Sequence, residues 1–357
     1  MSTSKGTERA RPASMADVAL LAGVSSQTVS RVSNGGLVAA PTRDRVLAAM
    51  AELGYRPNSA ARALKSGRFQ SIGVLVFSLQ NTGSIRILDA VAARAAAGGY
   101  SIDLISIGDP STGGITEALS RLDQEAVDGI IVILEAHQLV EHSITFPARV
   151  PSVIVDSQRY DDRISINADQ RQGARLAVQH LLDLGHRTVW HVSGPSGTSN
   201  ASEEREQSWR EMLTAAGRPV PPVLGGGWNA ESGYAAGREL AENDGVSAVF
   251  CANDQIALGV MRALHESGRR VPADVSVVGF DDTPESSQYW PPLTTVRQDF
   301  NAVGQQAFQL LLDGIDGVPL TPGLRLVENE LVVRASTAPP AGRANLATPA
   351  RTAGRGR

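Results

Sequence analysis

Six of the seven positions from 25 to 31 carry side chains that could hydrogen-bond to bases and phosphates of a nucleic acid. The hydroxyl, amide and guanidinium groups belong to Ser25, Ser26, Gln27, Thr28, Ser30 and Arg31. An amide such as Gln27 can bond an adenine edge in two places, and Arg31 can reach guanine. The small hydroxyls can reach phosphates. The stretch therefore predicts DNA readout, and a merely solvated polar helix face is the alternative.

Two short helices joined by a tight turn would hold these side chains together. Val18, Ala19 and Leu21 fall on one helical face, and Gly23 can take the left-handed conformation that ends a helix. Ser25 is a good N-cap for the second helix. The pattern predicts a helix-turn-helix unit, whose second helix fits the major groove.

Two further features complete this unit. Val29 and Val32 are predicted to pack inward, and a third helix is predicted from about Pro41 to Leu53, with Gly54 after its end. A plain three-helix bundle is the alternative interpretation of the same pattern.

Charge is distributed unevenly along the chain. Residues 1–69 carry ten Lys or Arg against four Asp or Glu, whereas residues 70–333 carry 18 against 33. Residues 334–357 carry five Arg and no acid, and the whole chain has a net charge of -4. An acidic body would be repelled by a polyanion, so only the basic N-terminal region is expected to meet one. Chance clustering in an N-terminal arm is the alternative.

Length and composition place limits on the class of protein. A chain of 357 residues with 42% apolar content is too long for one core, so two or three packed units are expected. The single cysteine, Cys251, cannot form an intramolecular disulfide, which is compatible with a reducing compartment. No apolar run resembles a signal peptide or approaches the roughly 20 residues of a membrane span. We therefore expect a cytoplasmic protein.

From Ser71 onward, short apolar strands alternate with amphipathic helices such as 85–97. The predicted strands are 72–77, 102–107, 129–134, 153–155, 188–192, 248–251 and 275–280. This alternation is typical of the α/β class, and the length favours two parallel sheets with a cleft between them. Residues 335–357 lack periodicity and apolar content, so a disordered tail is predicted there.

The segment before this body could be a short helix. Asn58 could cap it and Gly67 could end it, which leaves about two turns. So short a helix is marginal alone, because nucleation is costly, and it could fold only when something packs against it. A simple linker is an equally good interpretation.

Enzyme motifs are missing from the sequence. It has no Gly-rich phosphate loop with Lys, no Gly-x-Ser-x-Gly and no His-Glu-x-x-His, and its six histidines are scattered. We therefore expect neither catalysis, nor a metal, nor a cofactor. A secreted sugar-binding protein would share a body of two parallel sheets with a cleft between them, but it would lack the helix-turn-helix and would need an export signal.

Several separated motifs occur in the same order as in one known family. They are Asp17-Val18-Ala19 through Ser30-Arg31-Val32, residues 55–64, Ala252-Asn253-Asp254-Gln255-Ile256-Ala257-Leu258-Gly259 and Val277-Val278-Gly279-Phe280-Asp281-Asp282-Thr283. With them the sequence resembles the lac repressor family of sugar-responsive transcription factors from about residue 15 to residue 334. The segment 291–300 adds a match specific to relatives of lac repressor.

The resemblance implies a repressor that binds a palindromic operator as a homodimer. It implies further DNA contacts at Asn34, Asn58 and Leu64, with a hinge helix that forms on DNA and Leu64 opening a minor-groove step. The implied organisation is a head over 1–57, a hinge and linker over 58–69 and a periplasmic-binding-protein-like body over 70–334. Lobe 1 would comprise about 70–168 and 299–326, and lobe 2 about 169–298 and 327–334.

The resemblance also implies that a small sugar, such as a galactoside or other glycoside, binds between the lobes and releases the operator. The implied effector contacts are Asp156, Arg205, Trp228, Asn253, Asp281, Gln298 and Phe300. Carboxylates and amides pair with hydroxyls, and an indole packs on a sugar ring. Without the resemblance, the local sequence favours a surface ion pair for Arg205, a turn residue for Asp281 and a core residue for Trp228.

The sequence departs from lac repressor at three places. Ser26 replaces a bulky aromatic residue, which predicts a different operator base, and residues 81–84 are more polar than the apolar lining found there. The C-terminal leucine heptads that make lac repressor a tetramer are missing. A dimer is therefore expected.

Overall fold

The computed structural model divides the chain into two compact units, residues 1–69 and residues 70–357. It describes residues 13–33, 36–55, 67–77, 79, 81–107, 112–133, 146–155, 163–197 and 199–341. Across this described part, no helix is both long and apolar enough to cross a membrane.

The first unit contains the predicted helix-turn-helix. Helix α1 spans Met15–Ala22, α2 spans Ser26–Ser33 and α3 spans Ala40–Glu52. A capping box between Ser14 and Asp17 begins α1, because each side chain bonds the other residue's backbone N–H. Gly23, at φ 64°, ends α1 in the left-handed conformation, as predicted.

The core of this unit differs from the prediction at one position. It consists of Val18, Ala19, Ala22, Val29, Val46, Ala49 and Met50. Leu21, which the sequence pattern places on one helical face with Val18 and Ala19, is 47% exposed, and Ala22 is buried instead. Val18, Ala19 and Ala22 form an i, i+1, i+4 stripe that packs into the core shared with α2 and α3, and Leu21 lies beside this stripe.

Lobe 1 of the second unit has a six-stranded parallel sheet in the order β11-β5-β4-β3-β1-β2. Its strands are β1 Ser71–Val76, β2 Ser101–Ser106, β3 Gly129–Ile133, β4 Ser152–Val155, β5 Ile164–Ala168 and β11 Gly323–Val327. Helices α4 (Thr82–Ala97) and α10 (Phe300–Ile315) cover one face, and α5 (Thr112–Gln124) covers the other. Helix α4 begins three residues earlier than predicted, because Asn81 accepts hydrogen bonds from two backbone N–H groups of its first turn.

Lobe 2 has a second six-stranded sheet in the order β12-β10-β9-β8-β6-β7. Its strands are β6 Trp190–Ser193, β7 Leu224–Gly225, β8 Ala248–Cys251, β9 Ser276–Asp281, β10 Thr294–Arg297 and β12 Glu330–Val332. Helices α8 (Ala230–Ala241) and α9 (Asp254–Glu266) cover one face, and α6 (Gln170–Asp183) and α7 (Asn200–Ala215) cover the other. The sheet is not wholly parallel as predicted, because the short edge strand β12 runs antiparallel to β10.

The chain passes from one lobe to the other at three places, after β5, after β10 and after β11. Hydrogen bonds join these crossings to one another. Gln170 Nε2 donates to Gln298 Oε1 at 2.9 Å, and Asn329 Nδ2 donates to the Asp169 carbonyl at 2.6 Å. The crossings therefore form one connected hinge between the lobes.

The predicted disordered tail does not begin at residue 335. Ser336 is fully buried, and its carbonyl accepts from Val277 N at 2.9 Å while its Oγ donates to the Val277 carbonyl at 2.6 Å. The Ala338 carbonyl lies 3.0 Å from His186 Nε2. Polar pairing with lobe 2 orders residues 335–341, which an apolar periodicity cannot reveal. The rest of the predicted tail, 342–357, lies outside the described residues.

Candidate functional site

Helix α2 and its N-cap present four of the nine predicted DNA-contacting side chains to solvent. Ser25 caps it, because Thr28 N donates to Ser25 Oγ at 3.1 Å. Val29 is fully buried and fixes which face points outward. Ser25, Ser26, Gln27 and Arg31 are exposed, whereas Thr28 and Ser30 are half-buried. Asn34, Asn58 and Leu64 lie outside the described residues.

In the second unit, five of the predicted effector contacts lie on lobe 2. Asn253 follows β8, Asp281 ends β9, Gln298 follows β10, Trp228 follows β7 and Arg205 lies on α7. The carboxyl ends of parallel strands meet at one edge of a sheet, which is where ligands of such sheets bind. Sheet topology therefore brings together residues that are far apart in sequence. Asp156 lies outside the described residues.

Arg205 is only 4% exposed, so it is not a surface ion pair. Its Nε donates to Gln170 Oε1 at 2.8 Å, and its Nη1 donates to the Ala252 carbonyl. Its Nη2 lies 3.9 Å from Asp281 Oδ1, and its guanidinium carbon lies 3.9 Å from the centre of the Phe280 ring. The guanidinium is thus held by the protein in a fixed orientation.

Asp281 is also buried and stands beside Arg205. Its Oδ1 accepts a hydrogen bond from Gln298 Nε2 at 2.6 Å. Its backbone is left-handed, with φ 108°, and Asp282 follows at φ 49°. Such residues cost about 1–3 kcal/mol each and cluster at functional sites. Asp282 is held by Arg297 at 2.7 Å and Arg334 at 2.6 Å, which fixes this unusual turn.

The Trp228 ring lies beside Arg205 and Asp281, with its centre 5.5 Å from the Arg205 guanidinium carbon. Its indole packs closely on Gly194, where an added Cβ would lie 2.7 Å from the ring. Asn253 Nδ2 donates to the Trp228 carbonyl at 3.0 Å, and Asn253 Oδ1 accepts from Ile256 N at 2.7 Å. Asn253 therefore caps α9 and positions Trp228 together.

Asp254 lies directly behind the site, and the sequence analysis did not identify it. Its fully buried carboxylate accepts from Thr283 N at 2.8 Å and from the hydroxyls of Ser286 and Thr295, each at 2.5 Å. Burial and the nearby Asp281 raise the pKa of Asp254 to about 7, against the effect of these three hydrogen bonds. Asp254 anchors the loop after β9. The sequence signal that could have identified Asp254 is its position directly after Asn253, which caps α9.

Lobe 1 contributes Phe300 and two neighbours. Phe300 begins α10 and is buried in the core of lobe 1. The Arg86 guanidinium carbon lies 5.2 Å from the centre of its ring, and a Cβ at Gly83 would lie 3.1 Å from a ring carbon. Arg86 on lobe 1 and Gln170 at the hinge are residues near the site that the sequence analysis missed, because their contacts are long-range.

Comparison with known proteins covers both units. The model described as bacterial regulatory proteins, lacI family, matches residues 14–58, and the periplasmic binding protein-like domain matches residues 178–337. The chain is 38% identical to the lactose operon repressor of Escherichia coli K12 over 339 residues, which cover 92% of each chain. It is 34% identical to the HTH-type transcriptional repressor PurR of Vibrio vulnificus, covering 90% of this chain and 98% of the relative.

Solved structures give the same result. The lac repressor dimer bound to operator and the anti-inducer ONPF matches with a TM-score of 0.81 and 37% identity, covering 92% of this chain and all of that chain. The transcriptional regulator CelR in complex with cellobiose matches with a TM-score of 0.68 and 32% identity, covering 91% of this chain and 99% of that chain. The chain therefore belongs to the lacI family of bacterial regulatory proteins, as a transcriptional repressor with a helix-turn-helix DNA-binding head.

Proposed function

We propose that this repressor binds a palindromic operator as a homodimer and releases it when a small sugar binds between the two lobes. The observation that carries the proposal is the buried Arg205–Asp281–Gln298 group beside the Trp228 indole. Fixed carboxylate, amide and guanidinium groups suit paired sugar hydroxyls, and an indole suits the apolar face of a pyranose. Because a bacterial operator lies in the cytoplasm, we expect the protein to act there.

Two relatives support a glycoside as the effector. The solved structures include lac repressor bound to ONPG and CelR bound to cellobiose. Asp281 and Gln298 could pair with hydroxyls on one side of a sugar, while Trp228 lies within reach of its ring. We therefore propose a galactoside or other glycoside. In this role the chain binds its ligand and does not transform it.

A thermal-shift screen tests this proposal. A ligand that binds only the folded state raises its melting temperature by mass action, by about 2.7 kcal/mol of stabilisation at one hundred times Kd. We expect stabilisation by one or a few mono- or disaccharides, and the same sugars should weaken operator binding. Stabilisation by a purine base alone would contradict the sugar proposal, and tighter operator binding with sugar would reverse the sign of the switch.

For DNA recognition, we propose that Gln27 and Arg31 read base edges and that Ser26 occupies a third reading position. Ser25, Thr28 and Ser30 would contact phosphates. The exposure of Gln27 and Arg31 on one short helix supports this assignment. The hinge contacts at Asn58 and Leu64 stay predictions.

Arg31→Ala is expected to weaken operator binding by about 1–3 kcal/mol and to relax specificity at one symmetric base pair. The reason is that a guanidinium facing guanine distinguishes that base from the other three. Binding isotherms on the operator, on the single base-pair variants and on random DNA measure the effect. Thr28→Ala is the control and should weaken all sequences alike. Equal losses on operator and random DNA for Arg31→Ala would contradict base reading.

We propose that the homodimer forms through both lobes side by side, since two heads must meet two half-sites related by a two-fold axis. Large apolar side chains are exposed on each lobe. Ile85 (44%) and Leu104 (43%) lie on lobe 1, and Leu258 (43%) and Trp290 (94%) lie on lobe 2. A second copy of the chain would cover them.

Trp290→Ala is expected to weaken the dimer by about 2 kcal/mol, since a buried interface tryptophan is a typical hot spot. Sedimentation equilibrium measures the dissociation constant. The control is Leu326→Ala, because Leu326 is 49% exposed on β11, at the sheet edge opposite the β2 strand that carries Leu104. An unchanged dimer for Trp290→Ala, or a tetramer for the parent chain, would contradict the proposed assembly.

A further inference from the structure

One hydrogen bond joins a helix of lobe 1 directly to the effector site of lobe 2. Arg86 lies in the second turn of α4, and its Nη1 donates to the Asp281 carbonyl at 3.3 Å. The hydrogen bonds of the hinge involve Gln170, Gln298 and Asn329, which lie where the chain itself crosses between the lobes. The Arg86 contact is different, because it bridges the cleft between elements that no crossing connects.

The Arg86 guanidinium packs against the core of lobe 1. The guanidinium carbon lies 5.2 Å from the centre of the Phe300 ring, within the range of a cation–π contact. Phe300 is only 5% exposed and belongs to the core of lobe 1. The first turn of α4 packs on the same ring, since a Cβ at Gly83 would lie 3.1 Å from it. Arg86 is therefore fixed relative to lobe 1.

On the other side of the cleft, Asp281 is contacted through two different groups. Its carboxylate faces Gln298 Nε2 and Arg205, and its carbonyl accepts from Arg86. Both groups belong to a residue with φ 108°, and Asp282 after it has φ 49°. Two consecutive aspartates with positive φ persist only where surrounding groups hold them. Because the carboxylate and the carbonyl belong to the same residue, a ligand that binds the Asp281 carboxylate also changes the forces on the Asp281 carbonyl.

We propose that Arg86 is a positioning residue that holds the Asp281 turn and transmits occupation of the effector site from lobe 2 to lobe 1. Lobe 1 begins with β1, the first strand that follows the DNA-binding unit along the chain. A signal from the cleft must therefore reach lobe 1 before it can affect DNA binding. The transmission role rests on the proposed function of the same cleft. The Arg86–Asp281 contact itself does not.

The first arm of the test needs no ligand. Arg86→Met keeps an unbranched apolar side chain over Phe300 and removes the hydrogen-bond donor to Asp281. The matched control is Arg94→Met, because Arg94 is exposed on the same helix. Amide hydrogen exchange of the full chain should be about three- to tenfold faster at residues 281–283 in Arg86→Met, which is the loss of one hydrogen bond. Faster exchange confined to α4 and β1 would overturn the proposal, because it would show a role within lobe 1 only.

The second arm uses a sugar found in the thermal-shift screen. Arg86→Met should raise the dissociation rate of that sugar by about three- to tenfold while its association rate and the binding stoichiometry stay unchanged. Arg86→Lys, which restores one donor, should recover part of the loss. A lower stoichiometry with an unchanged dissociation rate would indicate misfolding and would overturn the proposal. If the parent chain binds no sugar, the proposed effector is wrong, and the exchange arm still decides whether Arg86 holds Asp281.

Discussion

Arg205→Ala is expected to produce a repressor that holds its operator and no longer responds to sugar. The guanidinium donates to Gln170 and to the Ala252 carbonyl, and it lies 3.9 Å from Asp281 Oδ1. Its removal leaves Asp281 buried without its cationic neighbour and removes the group we propose for sugar hydroxyls. The DNA-binding unit contains none of these residues, so operator affinity should not change.

The expected loss is large because the pair is buried. Truncating one partner of a buried charged pair costs about 2–5 kcal/mol, which corresponds to at least roughly thirtyfold in sugar affinity. Operator binding titrated with sugar measures the response, and calorimetry gives the sugar Kd. Arg210→Ala is the matched control, since Arg210 lies on the same helix and pairs with Glu206 at the surface, 2.8 Å away. Normal induction of Arg205→Ala by the cognate sugar would show that the assigned role is wrong.

The helix-turn-helix could be predicted almost completely because its signals are local. Gly23 ends α1 and Ser25 caps α2, and both effects depend only on neighbouring backbone. The rotation of α1 could not be predicted to one residue. Whether Leu21 or Ala22 is buried depends on where α3 packs, and that contact joins segments about 25 residues apart.

The effector site illustrates the opposite case. The local sequence around Arg205 contains Glu203, Glu204 and Glu206, which favours a surface ion pair. The structure buries Arg205 because Gln170 and Ala252, both far away along the chain, satisfy its donors. Only the resemblance to a known family identified this residue as a candidate.

Arg86 and Ser336 were missed for the same physical reason. Each is fixed by hydrogen bonds to distant segments, Arg86 by one to Asp281 and Ser336 by two to Val277 and one to Thr294. None of these bonds leaves a trace in periodicity or composition.

His191 should make the protein sensitive to acid. Its ring is fully buried, stacked on Phe250 at 4.8 Å between centroids and tilted against Trp209 at 5.3 Å. Nδ1 donates to the Phe250 carbonyl at 2.9 Å, and Nε2 has no hydrogen-bond partner within the described part of the chain. Burial lowers the pKa of His191 to about 4, with Arg205 and Arg210 acting in the same direction. The folded chain therefore holds this ring neutral.

The sign of the pH effect follows from the two protonation states. The unfolded chain binds a proton at His191 near pH 6.5, whereas the folded chain binds it only near pH 4. Unfolding is thus favoured as the pH falls through this window, and the free energy of unfolding should drop by about 2 kcal/mol by pH 5 and about 3 kcal/mol below pH 4. Above pH 7 the contribution is absent.

His191→Leu should remove this dependence, because leucine fills the apolar site and cannot bind a proton. The variant is expected to be about 1 kcal/mol less stable than the parent at pH 7.5, through the lost bond to Phe250, and more stable than the parent at pH 5. Urea unfolding of both chains between pH 5 and 8 locates the crossing. His265→Leu, at an exposed site on α9, is the matched control and should keep the parent profile. The parent and both variants keep the buried titratable groups Asp254, His180 and His186, so only His191 differs between the parent and His191→Leu. If the free energy of unfolding depends on pH in the same way in these two chains, a group other than His191 causes the acid sensitivity.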